Sequence, residues 1–313
     1  MSSRRVVITG VGMVSPLGSD VKTSWAAMLA GKSGISEITA FDVTAHSVKI
    51  GGQIPEFDLS SYISPKESRR MDDFIQLGLT AGMQAVRDSG IDSSPIDLTR
   101  VGVSIGSGIG GINTIETCYD AVINKGPSKV SPFFVPSSII NMVSGNLSIR
   151  LGFRGPNLAT STACTTGLHN IGLSARLIMH GDADIMVAGG AEKATCPTTM
   201  AGFAAMRALS LRNEDPTKAS RPWDRDRDGF VLSDGAGAIV LEEYEHAKSR
   251  GAQIYCELIG FGMSADADHM TSPSSDGKGA ADAMKNALND AKIPADNVQY
   301  INAHGTSTVL GDL

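Results

Sequence analysis

Residues 156–172, PNLATSTACTTGLHNIG, set one cysteine, Cys164, among small, hydroxylated and glycine residues. Arg154 is the only charged group within ten positions on its N-terminal side. After Cys164 the apolar positions Leu168, Ile171, Ala175 and Ile178 recur at helical spacing until Gly181, so the stretch reads as a strand end running into a helix. A thiol at a helix N-terminus meets unpaired N–H groups and the positive end of the dipole, which favour thiolate. Small neighbours allow close approach of backbone and substrate. This is the pattern of the strand–turn–helix elbow that exposes a nucleophile and turns a backbone N–H toward an oxyanion. The alternative at this point is a buried structural cysteine at a helix start.

Working outward, Arg5–Gly10 reads as a β-branched strand, followed by a turn and a helix over 22–30. A long helix is expected over 73–89, then a strand over 100–105 running into GSGIGG (106–111). Downstream, ADIMVAGGAE (183–192) reads as a strand, and AGAIVLEEYEHAKSRG (236–251) as a strand running into a helix. Strands alternating with helices predict an α/β fold, its largely parallel or mixed sheet covered on both faces. Two stretches recur. VVITGVGMVS (6–15) resembles CELIGFGMSA (256–265), and QAVRDSGIDSSPIDLTRVGVSIGSG (84–108) resembles NALNDAKIPADNVQYINAHGTS (286–307). In the later copy VQYINA is expected to be a strand reaching a polar loop. The repeats suggest a duplicated fold, divided into residues 1–253 and 254–313, with the second half incomplete in this chain.

Composition excludes several classes. The chain has 313 residues, 42% hydrophobic and 19% charged, with net charge −6, which disfavours nucleic acid and anionic membrane as partners. No run of eighteen apolar residues occurs, and glycines and Pro16 break the N-terminal apolar run before it forms a signal segment, so the expected location is cytoplasmic. Cysteines at 118, 164, 196 and 256 have neither zinc-site spacing nor the density of a disulfide framework. GVGMVS has Ser15 where a dinucleotide fingerprint needs its third glycine, and turn glycines account for it. DRDRDGFVLSDG (224–235) imitates a calcium loop but ends in Gly235 where a bidentate Glu belongs; an ion-pair cluster with Arg221, Arg225 and Arg227 reads better. Among six histidines none forms H-x-x-x-H, so no metal is expected. His180 and His246 read as ordinary surface or cap residues. His304, by contrast, opens a loop of small and hydroxyl residues at a predicted strand end, where catalytic groups gather in α/β sheets.

TACTTG (162–167), RPWDRDRDGFVLSDGAG (221–237), SPFFVPSSIINM (131–142), VAGGAEKA (187–194) and NAHGTSTVLGD (302–312), taken together, resemble the β-ketoacyl-[acyl-carrier-protein] synthases, and among them the elongating enzymes of bacterial fatty-acid synthesis. The resemblance implies a thiolase-like αβαβα fold of five layers built from two duplicated halves, normally a homodimer, with acyl carrier protein as partner. It implies no cofactor beyond the phosphopantetheine that carries the substrates. It gives Cys164 the acyl chain as a thioester. His304 would hydrogen-bond the malonyl thioester carbonyl as decarboxylation generates the enolate for a Claisen condensation. Thr306 and Thr308 match hydroxyls on the phosphopantetheine arm, and Thr271 a residue near its entrance. Ile109, Phe134 and Phe203 match positions bounding the acyl pocket. Lys66, Arg69, Arg70, Lys129 and Arg207 match positions that dock the acidic carrier, although a helix face paired to Glu67 and Asp72 is the alternative for the first three. Val309 stands where the family has proline. A second catalytic histidine, a lysine and a glycine-rich gating loop with a phenylalanine would lie beyond Leu313, so the expectation is a chain that loads Cys164 and condenses poorly. A polyketide-type ketosynthase shares these motifs. A chain-length-factor-like partner subunit normally lacks the cysteine, and a nucleotide-binding reductase would require the glycine turn to hold NAD(P).

Overall fold

The computed structural model describes residues 4–56 and 59–313. Among the described residues eight strands are formed: β1 (Val6–Val14), β2 (Ser36–Glu37), β3 (Ile50–Gly51), β4 (Val101–Gly106), β5 (Asn157–Leu158), β6 (Ile185–Glu192), β7 (Gly235–Glu243) and β8 (Cys256–Leu258). The helices are α1 (Val21–Leu29), α2 (Pro65–Ser68), α3 (Asp73–Ser89), α4 (Ile112–Lys125), α5 (Phe134–Ser138), α6 (Met142–Leu151), α7 (Thr166–His180), α8 (Pro197–Ala205), α9 (Tyr244–Ser249) and α10 (Lys278–Ala291). Six strands build one mixed sheet in the order β5-β4-β6-β7-β1-β8, with β5, β4 and β6 parallel and the remaining pairs antiparallel.

β4 is buried along its whole length because both faces of the sheet are covered. On one face α3 and α6 pack Phe74, Ile75, Leu79 and Leu147 against Val103, Ile105, Val187 and Val240. On the other, α7 packs Ala175 and Ile178 against Val6, Met186, Ala188 and Leu241. Beyond α7 the segment after β8 crosses its outer side. Phe261 lies edge-on to His169, with ring centroids 6.1 Å apart, and the Arg176 guanidinium sits 5.6 Å from the Phe261 centroid. α10 covers that segment in turn. Helices, sheet, α7, the 259–263 segment and α10 therefore succeed one another as five layers, the fourth being a single extended segment.

Gly10 and Gly12 are corrected from the turn expected for them: both lie inside β1, and their role is close approach. A β-carbon on Gly10 would stand 2.1 Å from the Ala85 carbonyl oxygen, and one on Gly12 2.0 Å from that of Ala81. The second copy repeats the device, with Gly260 against Ala287 and Gly262 against Ala283 at 2.5 and 2.2 Å. The polar contacts repeat as well. Val11 N–H donates to Asp88 at 2.9 Å, and Phe261 N–H to Asp290 at 2.8 Å. The duplication is thus a physical one: a glycine-faced extended segment on a helix whose last turn supplies a capturing aspartate. The expected strand VQYINA does not form, since residues 298–303 join no ladder and Val298, Tyr300 and Ile301 are exposed.

His246, expected as a surface or cap residue, lies in the last turn of α9 and joins an ion cluster around a buried carboxylate. Its Nδ1 lies 2.6 Å from Glu242, whose carboxylate is fully buried and also accepts from Arg250 Nε and Nη2 at 2.7 Å each and from Thr9 Oγ1 at 2.9 Å. Burial pushes the Glu242 carboxyl up, but the hydrogen bonds from Arg250 and His246 overcome it and hold the group below the usual carboxylate range. The same contact raises His246 above its ordinary 6.5. The imidazolium therefore contributes fully below pH 6.5 and loses its contribution as pH rises through the raised value. Replacing His246 by alanine should cost about 1.5–3 kcal/mol at low pH, the range for a hydrogen bond to a charged group. Urea unfolding should show this gap near pH 6 and a smaller one near pH 9. Equal losses at both would assign His246 to packing alone.

Candidate active site

Cys164 sits in a short 3₁₀ turn, Ala163–Thr165, directly before α7, rather than on the end of a strand. Ala163 adopts φ 53°, a left-handed conformation that costs an L-residue roughly 1–2 kcal/mol and turns the thiol outward. Side chains from the sheet and from α7 hold this elbow. Buried Asn170 accepts from Ser104 Oγ at 2.7 Å and from Thr160 N–H at 3.0 Å, while its amide donates to the Thr166 carbonyl at 2.8 Å. Thr162 N–H donates to Thr166 Oγ1 at 2.8 Å, and His169 Nδ1 lies 2.9 Å from Thr162 Oγ1.

His304 meets the thiol side chain to side chain, although 140 residues separate the two in sequence. The imidazole beside Cys164 lowers the thiol below its ordinary 9.0, and the residue's own backbone N–H adds to this, against the opposing effects of burial and Glu192. The helix start reasoned from sequence is present, but the leading cause of the lowered value is His304. The thiolate reciprocates by raising the His304 pKa. The two side chains thus favour an imidazolium–thiolate pair.

The loop carrying His304 is held by the segment that imitates a calcium site. Arg227 donates to the carbonyls of Thr308 and Val309 at 2.9 and 2.7 Å, and Arg221 N–H donates to Ser307 Oγ at 3.0 Å. Asp312 accepts from the N–H groups of Trp223, Thr306 and Ser307 at 3.1, 3.0 and 2.9 Å. Two of the three expected arginines pair with the acidic residues, Arg221–Asp224 and Arg225–Asp226 at 3.0 Å each, whereas Asp228 goes to Arg212 at 3.7 Å and Arg227 donates to backbone carbonyls. Val309, standing where proline is expected, contributes its carbonyl to Arg227.

Behind Cys164 lies a cavity of about 470 Å³, lined chiefly by glycines and apolar side chains. Ile109 and Phe203 line it, and Phe203 meets Phe230 edge-on at 5.1 Å. Phe134 does not line this cavity; it is half-buried at the start of α5. Thr306 and Thr308 lie two and four residues beyond His304, their hydroxyls 3.1 Å apart. Thr271 is exposed and donates its N–H to His269 Nδ1 at 3.1 Å, and it is not part of the cavity wall. Lys66, Arg69, Lys129 and Arg207 are exposed, and Arg70 stacks on the Phe133 ring at 4.7 Å. Glu67 pairs with Arg150 instead of its neighbours, and Asp72 caps α3 and accepts from Thr114 N–H. Among the described residues no carboxylate pairs with Lys66, Arg69 or Arg70. Asn170, Glu192, Phe230 and Asp312 were not singled out from sequence, because none belongs to a spacing pattern and each works through a fold contact.

Comparison with known proteins agrees over the whole chain. Residues 3–247 match the family described as "Beta-ketoacyl synthase, N-terminal domain", and residues 255–313 match "Beta-ketoacyl synthase, C-terminal domain". A "3-oxoacyl-[acyl-carrier-protein] synthase 2" of Vibrio cholerae is 62% identical over 313 residues, all of this chain and 76% of the relative. The protein of that name in Coxiella burnetii is 54% identical over 312 residues, 100% of this chain and 75% of the relative. Among solved structures, a β-ketoacyl synthase from Burkholderia phymatum superposes with TM-score 0.90 at 34% identity, covering 99% of this chain and 76% of that one. A type II PKS acyl-carrier protein in complex with its ketosynthase bound to the hexaketide gives TM-score 0.86 at 33% identity, covering 99% and 76%.

Proposed function

The chain belongs to the β-ketoacyl synthase family, with the thiolase-like fold and the condensing activity of 3-oxoacyl-[acyl-carrier-protein] synthase 2, and from that premise we propose how its own residues perform the reaction. The juxtaposition of Cys164 and His304 carries the reading. The Cys164 thiolate adds to the acyl thioester of the carrier, and collapse of the tetrahedral adduct expels the phosphopantetheine thiol and leaves the chain on sulfur. The apolar cavity behind Cys164, bounded by Ile109 and Phe203, receives the chain. Malonyl thioester then loses carbon dioxide. Its carbonyl oxygen gathers the charge and accepts a hydrogen bond from His304, and the enolate carbon attacks the Cys164 thioester, releasing the thiolate. Thr306 and Thr308, two and four residues beyond His304, and exposed Thr271 are the residues assigned to contact the carrier's arm.

No metal or cofactor enters these steps. Polyketide condensation would use the same pair, but identities of 62% and 54% to the fatty-acid enzymes, against 33% to the type II PKS ketosynthase, favour fatty-acid elongation. Retention of Cys164 counts against a non-catalytic partner subunit. Two units dividing near residues 253 and 254 are supported by the family matches, which end at 247 and resume at 255. A homodimer is supported by the open edge of β5 and by exposed Ile115, Tyr119 and Ile123 on α4. The exposed free thiols of Cys164 and Cys256 suit the reducing cytoplasm.

The test is stepwise. Incubation with acyl carrier protein bearing a saturated acyl chain should add that acyl mass to Cys164, and 3-oxoacyl-carrier formed on adding malonyl-carrier is then scored as a separate step. Absence of the adduct would refute the assignment of Cys164. Docking has its own prediction. Reversing Lys66 and Arg69 to Glu should weaken carrier binding about tenfold at low salt and flatten its salt dependence, because among the described residues these cations have no carboxylate partner. Unchanged affinity at low ionic strength would remove α2 from the docking surface.

A further inference from the structure

Glu192 ends β6 at the wall of the Cys164 cavity and turns its carboxylate toward the loop that follows β4. One oxygen accepts from Ser107 Oγ at 2.7 Å and the other from Gly108 N–H at 2.7 Å. Ile109 N–H stands 3.3 and 3.2 Å from the two oxygens, and Gly110 N–H 3.4 Å from the first. Ser107 Oγ closes the arrangement by accepting from Gly110 N–H at 2.9 Å. No cation pairs with Glu192 among the described residues; Lys193 beside it goes to Asp234 at 3.0 Å. A carboxylate at an apolar cavity wall is costly unless hydrogen bonds meet its charge, and here consecutive loop N–H groups do so. The fit is close, because a β-carbon on Gly108 would lie 2.8 Å from a Glu192 oxygen.

The loop so gathered carries Ile109, whose side chain bounds the cavity. We propose that Glu192 is a positioning residue for acyl-chain selection: by fixing the 107–110 loop it sets where Ile109 closes the pocket, and so which chain lengths reach Cys164. This rests on the reading of the cavity as the acyl pocket. Glu192→Gln replaces one accepting oxygen with an amide NH₂ that cannot accept from the loop N–H groups. Ser107→Ala is milder, removing one donor and leaving the carboxylate.

The experiment offers each protein pantetheine thioesters of a short and a long saturated acid, and follows acylation of Cys164 by intact mass alongside the thermal midpoint. The long-to-short rate ratio should change about tenfold in Glu192→Gln, the scale on which an apolar pocket distinguishes chains, and less in Ser107→Ala. A general loosening would lower both rates together. A ratio held within about twofold in the folded Glu192→Gln protein overturns the proposal. Should that variant not fold, Ser107→Ala decides by whether the same ratio changes, and no change there overturns it. Failure of wild-type Cys164 to accept either chain would instead refute the acyl-pocket reading.

Discussion

Replacing Cys164 by alanine should remove the acyl-enzyme altogether and lower condensation by roughly 10⁴–10⁶-fold, the scale on which loss of a covalent nucleophile acts. Urea unfolding should be little changed, since Cys164 is exposed and the elbow is held by Asn170, Thr162 and Thr166. Serine is an informative second variant. Its hydroxyl fits the same elbow, but no neighbouring imidazolium brings an alcohol near the pH at which a thiol ionises. It should therefore form no detectable acyl-enzyme on the wild-type time scale. Intact mass after incubation with acyl-carrier reads both variants directly. An adduct on the alanine protein at the wild-type rate would mean that another residue carries the chain.

The elbow was legible from sequence because it is a local object: small residues, a thiol, then helical spacing of Leu168, Ile171, Ala175 and Ile178. β4, β6 and β7 were legible for the same reason, being apolar runs with clear ends. Gly10 and Gly12 were misread because a glycine that frees a turn and a glycine that admits a helix backbone are identical in sequence. Only the 2.1 and 2.0 Å at which an added β-carbon would meet the Ala85 and Ala81 carbonyls separates the two roles. The recurrence of G-x-G-Met at 260–263 held the answer, since a turn need not be copied with its aspartate at Asp88 and Asp290.

Residues that work through distant contacts were not legible. Glu192 could not be connected with Ser107 until β4 and β6 paired in parallel and brought their ends together. His246 looked like a surface helix residue because its partner, Glu242, is a buried carboxylate near the end of a central strand, where polarity alone would place it in solvent. The same limit applies to the electrostatics. The helix terminus was the only cause of thiolate character that local sequence offers, whereas the structure makes His304 the leading one.

That ordering of causes gives the second large effect. His304→Ala should slow malonyl-carrier decarboxylation about 10²–10³-fold, the typical cost of removing one donor aimed at a developing oxyanion. It should also return the Cys164 thiol toward its ordinary 9.0, because the neighbour that lowers it most is gone. Reaction with iodoacetamide separates this second consequence from the first, since it involves no enolate. In the wild-type protein, peptide mapping near neutral pH should find Cys164 modified ahead of Cys118 and Cys196, which are buried, and ahead of exposed Cys256. Burial raises the Cys196 thiol, which widens its gap from Cys164. In His304→Ala the Cys164 rate should fall at neutral pH and recover as pH rises toward 9, about tenfold per unit while the thiolate is the minor form. The sign follows from the pair. Wild-type reactivity is lost as pH falls through the lowered thiol value, and the variant loses it at a higher pH. A profile in His304→Ala that overlies the wild-type one would show that the imidazole does not hold the thiolate. The helix terminus would then be its main support, and His304 would act on the malonyl carbonyl alone.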